Sequence, residues 1–303
     1  EAGIKAPILV LGATYTPEQV EAIARWKLEA TLCNCKQALI FSDILETINF
    51  DSALQVHLKL DTGMSRLGTL WQDCSEFVQL VDRLPHLNIR SVYSHLATAD
   101  SPDKTVMDLQ HQRFESAIAL LKDVGIEVPC LHLANSAGTL SDNSLHYDMV
   151  RVGLAIYGFY PSPHLRSTVK LQPVLEVKAR VTHVKTIEKG AGVSYGHTFV
   201  AGKQMRLAVV GIGYADGVPR NLSNKMQVLI RGVKVPQIGN ITMDQIMLDV
   251  SSIPDVEEGE IVTILGCEGA EQITAEDWST QLNTISWEIL CSFKHRLPRV
   301  NVS

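Results

Sequence analysis

Residues 56–68 read Val-His-Leu-Lys-Leu-Asp-Thr-Gly-Met-Ser-Arg-Leu-Gly, an apolar run that passes into a polar loop with two glycines and an arginine. This pattern predicts a buried strand over residues 54–60 that delivers polar groups at its carboxyl end. In a β/α barrel the catalytic residues lie at that end of the strands. The stretch therefore indicates a barrel enzyme whose site includes the loop after this strand.

The composition is that of a soluble globular protein. The 303 residues are 46% apolar and 20% charged, and the net charge of −6 gives no reason to expect a nucleic-acid or membrane partner. No apolar run approaches the roughly 20 residues that a membrane-spanning helix needs. Six irregularly spaced cysteines favour a reducing, cytoplasmic compartment. Cys33 and Cys35 have no second pair to complete a metal site, so no metal is predicted.

Residues 1 to about 160 alternate short apolar segments with amphipathic ones, which predicts a parallel sheet with right-handed helical crossovers. The six expected strands span residues 7–11, 30–33, 54–60, 89–94, 130–133 and 147–150. The expected fold class is α/β, a (β/α)8 TIM-type barrel, which needs eight strands. Because the chain opens in the middle of the repeating pattern, the first two strands are expected to be missing from it.

The pattern changes near Leu171, and the rest of the chain predicts a mostly β domain. Residues 175–182 alternate apolar and polar side chains, as in a half-exposed strand, and four further short strands are expected. They span residues 207–212, 226–230, 246–250 and 261–265. A late helix is expected from Thr274, with Asp277 as its capping partner. The expected domains are therefore 1–165 and 170–303.

Two neighbouring sequence motifs in the predicted barrel suggest an anion-binding site. Ser136 starts a helix directly after a strand, where free N–H groups and the helix dipole attract anions. The next strand ends near Arg151, and Gly153 lets a backbone N–H approach a ligand closely. Barrel enzymes often bind phosphate in the loops after their last two strands. A simple helix cap at Ser136, and an ion-paired arginine at 151, are the structural alternatives.

Two more polar residues stand out by position. His95 follows a predicted barrel strand, where an imidazole can tune a neighbouring acid or base. Tyr195 lies in a glycine-flanked turn of the β domain. An unperturbed phenol has a pKa of about 10, so a role as a base needs hydrogen-bonding or cationic help. For both residues, a packing role is the alternative interpretation.

Seven words of the chain, taken together, resemble the alanine racemase family in order, spacing and local sequence. They are KLDTGMSRLG, SHLATAD, LANSAGT, MVRVGLAIYG, VSYGHTF, GIGYADG and MDQ, and the resemblance extends over essentially the whole chain. It implies a barrel that binds pyridoxal 5′-phosphate (PLP), followed by a β domain. It also implies a cytoplasmic homodimer in which each active site is built across the interface. The implied activity is two-base racemisation of L-alanine to D-alanine, which supplies peptidoglycan.

The resemblance also assigns roles. Tyr195 would be the acid or base on one face of the substrate and would reach into the partner's barrel. Arg66 would contact the cofactor's phenolic oxygen and the substrate carboxylate, oriented by Lys59 as a carbamate. Arg151 would face the pyridine nitrogen, and His95 would bridge Tyr195 and Arg151. The remaining implied positions are Ser136, Gly153 and Leu154 for the phosphate, Met243 for the substrate, and Asp100, Tyr214 and Arg220 for the entrance.

The chain departs from the family pattern in three ways, and the first departure bears directly on activity. The chain contains no word of the Lys-Ala-Asn-Ala-Tyr-Gly type, which carries the family's cofactor lysine, and its other lysines lie in unrelated contexts. We therefore expect the chain to be an incomplete, inactive form of the enzyme. Trp287 and Asn240 replace the tyrosine and arginine of many relatives. The alternatives left open are a non-catalytic PLP-binding relative and a racemase for another small amino acid, such as serine.

Overall fold

The computed structural model describes residues 3–302, which divide into two compact units. The first unit contains the residues up to Ile156 together with Tyr160–Leu171, and the second contains Tyr157–Phe159 and the residues from Gln172 onward. Among residues 3–302, no helix is both long enough and apolar enough to cross a membrane.

The first unit alternates strands and helices. Its strands are β1 (Leu9–Ala13), β2 (Glu29–Leu32), β3 (Leu54–Asp61), β4 (Thr69–Leu70), β5 (Leu87–Tyr93) and β6 (Leu131–His132). Its helices are α1 (Pro17–Arg25), α2 (Cys35–Thr47), α3 (Cys74–Asp82), α4 (Thr105–Asp123) and α5 (Ser136–Ser141). The strands form one parallel sheet in the order β1-β2-β3-β5-β6, with β4 added beside β3. The predicted β/α alternation is confirmed.

Local sequence explains how these elements begin. Thr16 and Gln19 form a reciprocal capping box at α1, and Pro17 occupies the first helical position, where its missing N–H has no cost. The helices pack their apolar stripes on the sheet. For example, Phe41 of α2 and Phe114 of α4 are fully buried in the same core.

The strand predicted at residues 147–150 is wrong, because these residues form no ladder in the structure. Tyr147 has a φ of +50°, which an extended strand does not allow. The segment instead makes single backbone hydrogen bonds, from Asp148 N to Leu131 O and from Arg151 N to Ala134 O, both 3.0 Å. It still runs beside β6 and brings Arg151 to the end of the sheet.

The second unit is mostly antiparallel. Its strands are β7 (Val177–Ile187), β8 (Gly192–Val193), β9 (Phe199–Val200), β10 (Met205–Val210), β11 (Gln227–Ile230), β12 (Val233–Pro236), β13 (Ile246–Asp249), β14 (Ile261–Glu268) and β15 (Glu271–Ile273). The main sheet has the order β12-β11-β14-β7-β10-β13, with β15 beside β14, and β8 pairs with β9. Helices α6 (Ala275–Leu282) and α7 (Ser286–Ser292) follow, and the predicted capping box of Thr274 and Asp277 is confirmed.

Candidate functional site

Buried polar side chains line one face of the parallel strands. Side chains two residues apart share a face of a strand, so His57 and Lys59 lie together on β3, and Ser91 and Tyr93 on β5. All four are buried, as is His132 of β6. Sequence reasoning singled out only Lys59. The available signal was the recurrence of polar residues at every second position of otherwise apolar strands.

Tyr93 is the central platform of this cluster. Its ring stacks on His132, with centroids 4.6 Å apart and planes 7° apart. Lys59 Nζ lies 5.4 Å and Arg151 Cζ 5.0 Å from the ring centroid, both within cation–π range. The Tyr93 hydroxyl hydrogen-bonds Thr31 Oγ1 at 2.9 Å, and burial raises the pKa of Tyr93 to about 12. Tyr93 is therefore a neutral, fixed surface for the two cations.

Arg151 is a half-buried cation that is held by neutral acceptors. Its Nη1 donates to His132 Nδ1 at 2.6 Å. Its Nη2 lies within hydrogen-bond distance of Ser94 O, Leu133 O and His95 Nδ1, at 2.6, 3.0 and 3.2 Å. Burial lowers its pKa to about 10, so it remains charged at neutral pH. Within residues 3–302 its Nε–H makes no hydrogen bond, so this donor remains available to a ligand.

His95 accepts from Arg151 and is neutral. Burial, and then the charges of Arg151 and Lys59, lower the pKa of His95 to about 4. Because arginine can only donate, His95 Nδ1 must be the acceptor and its proton must lie on Nε2. The predicted link between His95 and Arg151 is therefore present, and His95 keeps one N–H to donate elsewhere.

Lys59 is a buried amine without a counter-ion. It is 5% exposed, and across the described part of the chain its Nζ makes no hydrogen bond or ion pair. Burial and then the charge of Arg66 lower the pKa of Lys59. A lysine in such surroundings shifts toward the neutral, nucleophilic amine.

The loop after β3 is folded by its own residues so as to present Arg66. Asp61 Oδ1 accepts from the N–H groups of Gly63 and Ser65 at 2.9 and 3.1 Å. Gly68 closes the loop with a φ of +116°, and a Cβ there would lie 2.8 Å from the backbone of residues 59 and 60. Only glycine fits at this position. Arg66 itself is exposed.

Helix α4 fixes two of these loops from behind. Buried Gln110 accepts from Ala97 N at 2.8 Å and donates to His95 O at 3.0 Å. Arg113 Nη1 donates to Thr62 O at 3.0 Å. Neither Gln110 nor Arg113 was singled out from the sequence, because their partners lie far along the chain.

The predicted phosphate residues lie together. Ser136 Oγ accepts from Gly153 N at 2.9 Å and from Ala155 N at 3.3 Å. The space where a Cβ of Gly153 would lie has no atom within 4 Å, so a ligand can approach this backbone. Leu154 starts the 3₁₀-helix Leu154–Tyr157, where an N–H has no intrahelical acceptor. We call Ser136, Gly153 and Leu154 the open cradle. Together with the free Nε–H of Arg151, which is nearby in sequence, these groups fit a phosphorylated pyridine such as PLP.

In the second unit, Tyr195 is presented by a strained turn. Ser194 has a φ of +63° and Gly196 a φ of +70°. Asn240 Nδ2 donates to Tyr195 O at 2.6 Å, while Ser194 Oγ donates to Asn240 O at 2.7 Å. Tyr195 is 74% exposed, so its backbone is fixed and its phenol is free to meet a ligand. The substitution of Asn240 for the family's arginine thus supplies a short amide that holds the tyrosine loop.

The predicted substrate and entrance residues of this unit also form a connected surface. Tyr214 N donates to Thr242 O, and Ala215 N donates to Met243 O, both at 3.0 Å. A Cβ on Gly213 would lie 2.3 Å from Thr242 O, so only glycine allows this close approach. Met243 and Tyr214 are exposed, as are Arg220 in this unit and Asp100 in the first.

Comparison with known proteins gives consistent matches over the chain. The family model "Alanine racemase, N-terminal domain" matches residues 1–161, and "Alanine racemase, C-terminal domain" matches residues 174–301. An alanine racemase from Nostoc sp. is 70% identical over 302 residues, which are 100% of this chain and 78% of that protein.

Solved structures agree. The alanine racemase of Bacillus anthracis with bound L-Ala-P has a TM-score of 0.91 at 33% identity, covering 100% of this chain and 77% of that one. A histidine racemase from Leuconostoc mesenteroides has a TM-score of 0.87 at 29% identity, covering 99% of this chain and 80% of that one. The fold is therefore that of a TIM-type barrel followed by a β domain.

Proposed function

This chain belongs to the alanine racemase family, and we propose that its barrel-end residues hold PLP for the interconversion of L- and D-alanine. The activity is that of an isomerase, an alanine racemase. A non-catalytic relative and a serine racemase are not favoured, since the high-identity relatives are alanine racemases. The observation that carries the site assignment is the half-buried Arg151, whose Nε–H is free, two residues before the open backbone at Gly153.

The cofactor would be held at its two ends. The Ser136 hydroxyl and the N–H of Leu154 would donate to the phosphate, which would lie against the open backbone of Gly153, and Arg151 Nε–H would donate to the pyridine nitrogen. When bound, PLP supplies an electron sink for the negative charge left on Cα after the proton is removed. Because Arg151 does not give up its proton, the pyridine nitrogen stays unprotonated, which moderates that sink.

Tyr195 would exchange the α-proton at its phenolic oxygen on one face of the substrate. A phenolate at neutral pH needs a partner that lowers its ordinary pKa of about 10. The proton of His95 is on Nε2, so this group can donate to the phenolate oxygen of Tyr195. Racemisation needs a second acid or base on the opposite face, because a proton removed from one side must return from the other.

The neutral amine of Lys59 would react with carbon dioxide to form a carbamate, releasing one proton. The carbamate would be an anion beside Arg66 and would turn that guanidinium toward the substrate carboxylate and the cofactor's phenolic oxygen. The lowered pKa and the missing counter-ion of Lys59 support this modification. Native mass spectrometry is expected to show a carbon dioxide adduct that is lost in Lys59→Ala. An unmodified amine in high-resolution density would contradict it.

We also propose the wider context. Two subunits would combine so that Tyr195 and Met243 of one complete the barrel site of the other, with Asp100, Tyr214 and Arg220 at the entrance. The enzyme would make D-alanine in the cytoplasm, and this D-alanine would be used for peptidoglycan.

The test is direct measurement of D-alanine formation. The protein expressed from its own gene is incubated with PLP and L-alanine, and the products are separated by chiral chromatography. We expect D-alanine from the wild type and from Tyr157→Phe, an exposed-tyrosine control, but almost none from Tyr195→Phe. A panel in which serine or histidine is racemised faster than alanine would contradict the proposal, as would equal activity of the two tyrosine variants.

A further inference from the structure

A continuous chain of hydrogen bonds, buried in its middle and part-buried at both ends, connects Arg151 to a carboxylate at the opposite end of the strands. Arg151 Nη1 is 2.6 Å from His132 Nδ1, and His132 Nε2 is 2.8 Å from Ser91 Oγ. Ser91 Oγ is 2.6 Å from His57 Nδ1, and His57 Nε2 is 2.7 Å from Glu29 Oε2. We call these five residues the Glu29–Arg151 relay. Its members come from β2, β3, β5, β6 and the segment after β6.

The relay has only one self-consistent direction. Arginine only donates, so His132 Nδ1 accepts and the His132 proton lies on Nε2. That N–H donates to Ser91 Oγ, which leaves the Ser91 hydroxyl to donate to His57 Nδ1. His57 therefore carries its proton on Nε2 and donates to Glu29. Arg151 at one end of the relay only donates and the Glu29 carboxylate at the other end only accepts, so both ends specify the same direction.

We propose that Glu29, His57, Ser91 and His132 are positioning residues that keep Arg151 oriented for its role in racemisation. Among residues 3–302 no carboxylate pairs with this guanidinium, so its orientation depends on neutral acceptors that always face it. The relay supplies His132 Nδ1 as such an acceptor on one side, which leaves Nε–H pointing away from the relay. This inference rests on the proposed function of Arg151, although the relay's proton positions do not.

Reversal of the relay would disturb Arg151. If His57 gained a second proton, its Nδ1–H would face Ser91, and the Ser91 hydroxyl would have to donate to His132 Nε2. The His132 proton would then lie on Nδ1, directly against the Nη1–H of Arg151. Two donors would face each other across 2.6 Å, so the guanidinium would have to move.

The charges around the relay favour the neutral imidazoles. Burial, and then the charges of Arg151 and His57, lower the pKa of His132 to about 2. Burial also lowers the pKa of His57, helped by the charge of Arg90 and opposed by Glu29. Both histidines therefore accept and donate one hydrogen bond each at neutral pH, as the relay's direction requires.

A test by ¹⁵N NMR of the histidine side chains is independent of the cofactor. Ring-nitrogen shifts report which nitrogen carries the proton. We expect the Nε2–H form for both His57 and His132. In Glu29→Leu we expect altered shifts at His132, which is three hydrogen bonds away, while Glu29→Gln keeps them because an amide oxygen still accepts from His57. The matched control is Glu115→Leu, whose carboxylate contacts Tyr147 and the surface residue His111.

Kinetics connect the relay to catalysis. We expect Glu29→Leu to lower kcat about 10-fold with little change in KM, comparable with the ~10–100-fold cost of removing outer partners around metal sites. Glu29→Gln and Glu115→Leu should keep most of the activity. A His132 proton on Nδ1 would contradict the proposed direction of the relay. Unchanged His132 ring-nitrogen shifts in Glu29→Leu would also contradict the relay. Altered shifts with unchanged kcat would overturn its positioning role. If Arg151→Ala were fully active, the proposed function of Arg151 would fail while the NMR result stood.

Discussion

At the residue scale, Arg151 illustrates how a half-buried charge is kept without an ion pair. Its partners are two carbonyl oxygens and two imidazole nitrogens, and none of them carries a negative charge. A charge removed from water is costly unless hydrogen bonds compensate for the lost hydration, and four acceptors surround the two terminal nitrogens of this guanidinium. The third nitrogen, Nε, is then available for a ligand.

Replacement of Arg151 by lysine should therefore lower the racemase activity strongly, although the positive charge is kept. A single ammonium cannot reach His132, the two carbonyls and a pyridine nitrogen at once. We expect Arg151→Lys to lower kcat about 100-fold, the lower range for losing a preorganised donor. The measurement is steady-state racemisation of L-alanine, with exposed Arg83→Lys as the control. Near-normal kcat in Arg151→Lys would show that charge alone is sufficient.

The buried histidines predict how stability depends on pH. His132 has a folded-state pKa of about 2, below the ordinary value of about 6.5. Below pH 6.5 this imidazole is protonated in the unfolded chain but stays neutral in the folded chain. The stability that is present at higher pH is therefore lost as the pH falls. Between pH 7 and pH 5 this one histidine should cost about 2 kcal/mol of unfolding free energy.

Urea unfolding at pH 7 and pH 5 measures this loss. His132→Gln retains an acceptor for Arg151 and a donor for Ser91, so it should fold and lose less stability on acidification. The loss should be smaller by about 2 kcal/mol. The control His86→Gln, whose side chain makes no hydrogen bond within residues 3–302, should behave as the wild type. An unchanged slope in His132→Gln would mean that this imidazole is not the group being titrated.

Only part of the site could be predicted from the sequence. Lys59, Ser136 and Arg151 stand at strand ends, where local words identify them. His57 and His132 lie inside apolar segments of the sequence. Their roles depend on hydrogen-bond partners that lie on other strands. The hydrogen bond between His57 and Ser91 joins residues 34 positions apart, and sequence patterns give no distances between strands.

At the element scale, the loop after β3 is specified by its backbone. Gly68 has a φ of +116°, and its missing Cβ makes room for the end of the strand. This close packing accounts for the second glycine in residues 56–68. The strand expected at residues 147–150 failed because alternation of side chains does not reveal the positive φ of Tyr147.

Gly68→Ala should combine a disfavoured φ with a steric clash. We expect it to lower the unfolding free energy by about 3 kcal/mol, the upper range for a strained residue. Gly125→Ala is the matched control, because Gly125 has a φ of +76° with no atom within 4 Å of its Cβ position. It should cost about 1 kcal/mol. Equal losses in urea unfolding would show that the clash at Gly68 is relieved by relaxation.

At the scale of the whole molecule, periodicity predicted the two kinds of sheet because they have different sequence patterns. Strand β3 of the first unit is buried along almost its whole length, while β7 of the second unit alternates between buried and more exposed side chains. Neither pattern tells where Tyr195 acts. Its 74% exposed phenol on a fixed backbone fits an acid or base that serves a second subunit.

The proposed homodimer with shared sites predicts complementation between two inactive variants. Arg151→Ala removes a barrel residue, and Tyr195→Phe removes the residue supplied to the partner. In a mixed dimer, the barrel of the Tyr195→Phe subunit meets an intact tyrosine, so one of its two sites is complete. Random mixing makes half of the dimers mixed, so about one quarter of wild-type activity should return.

The measurement is racemase activity after the two variants are coexpressed with different affinity tags and the doubly tagged dimers are isolated. These dimers should have about half of the wild-type activity, since one site in two is complete. Each variant purified alone is the control and should be inactive. If each site used the tyrosine of its own chain, no subunit in the mixture would have a complete site and no activity would return. The same experiment therefore decides both the dimer and the direction in which Tyr195 acts.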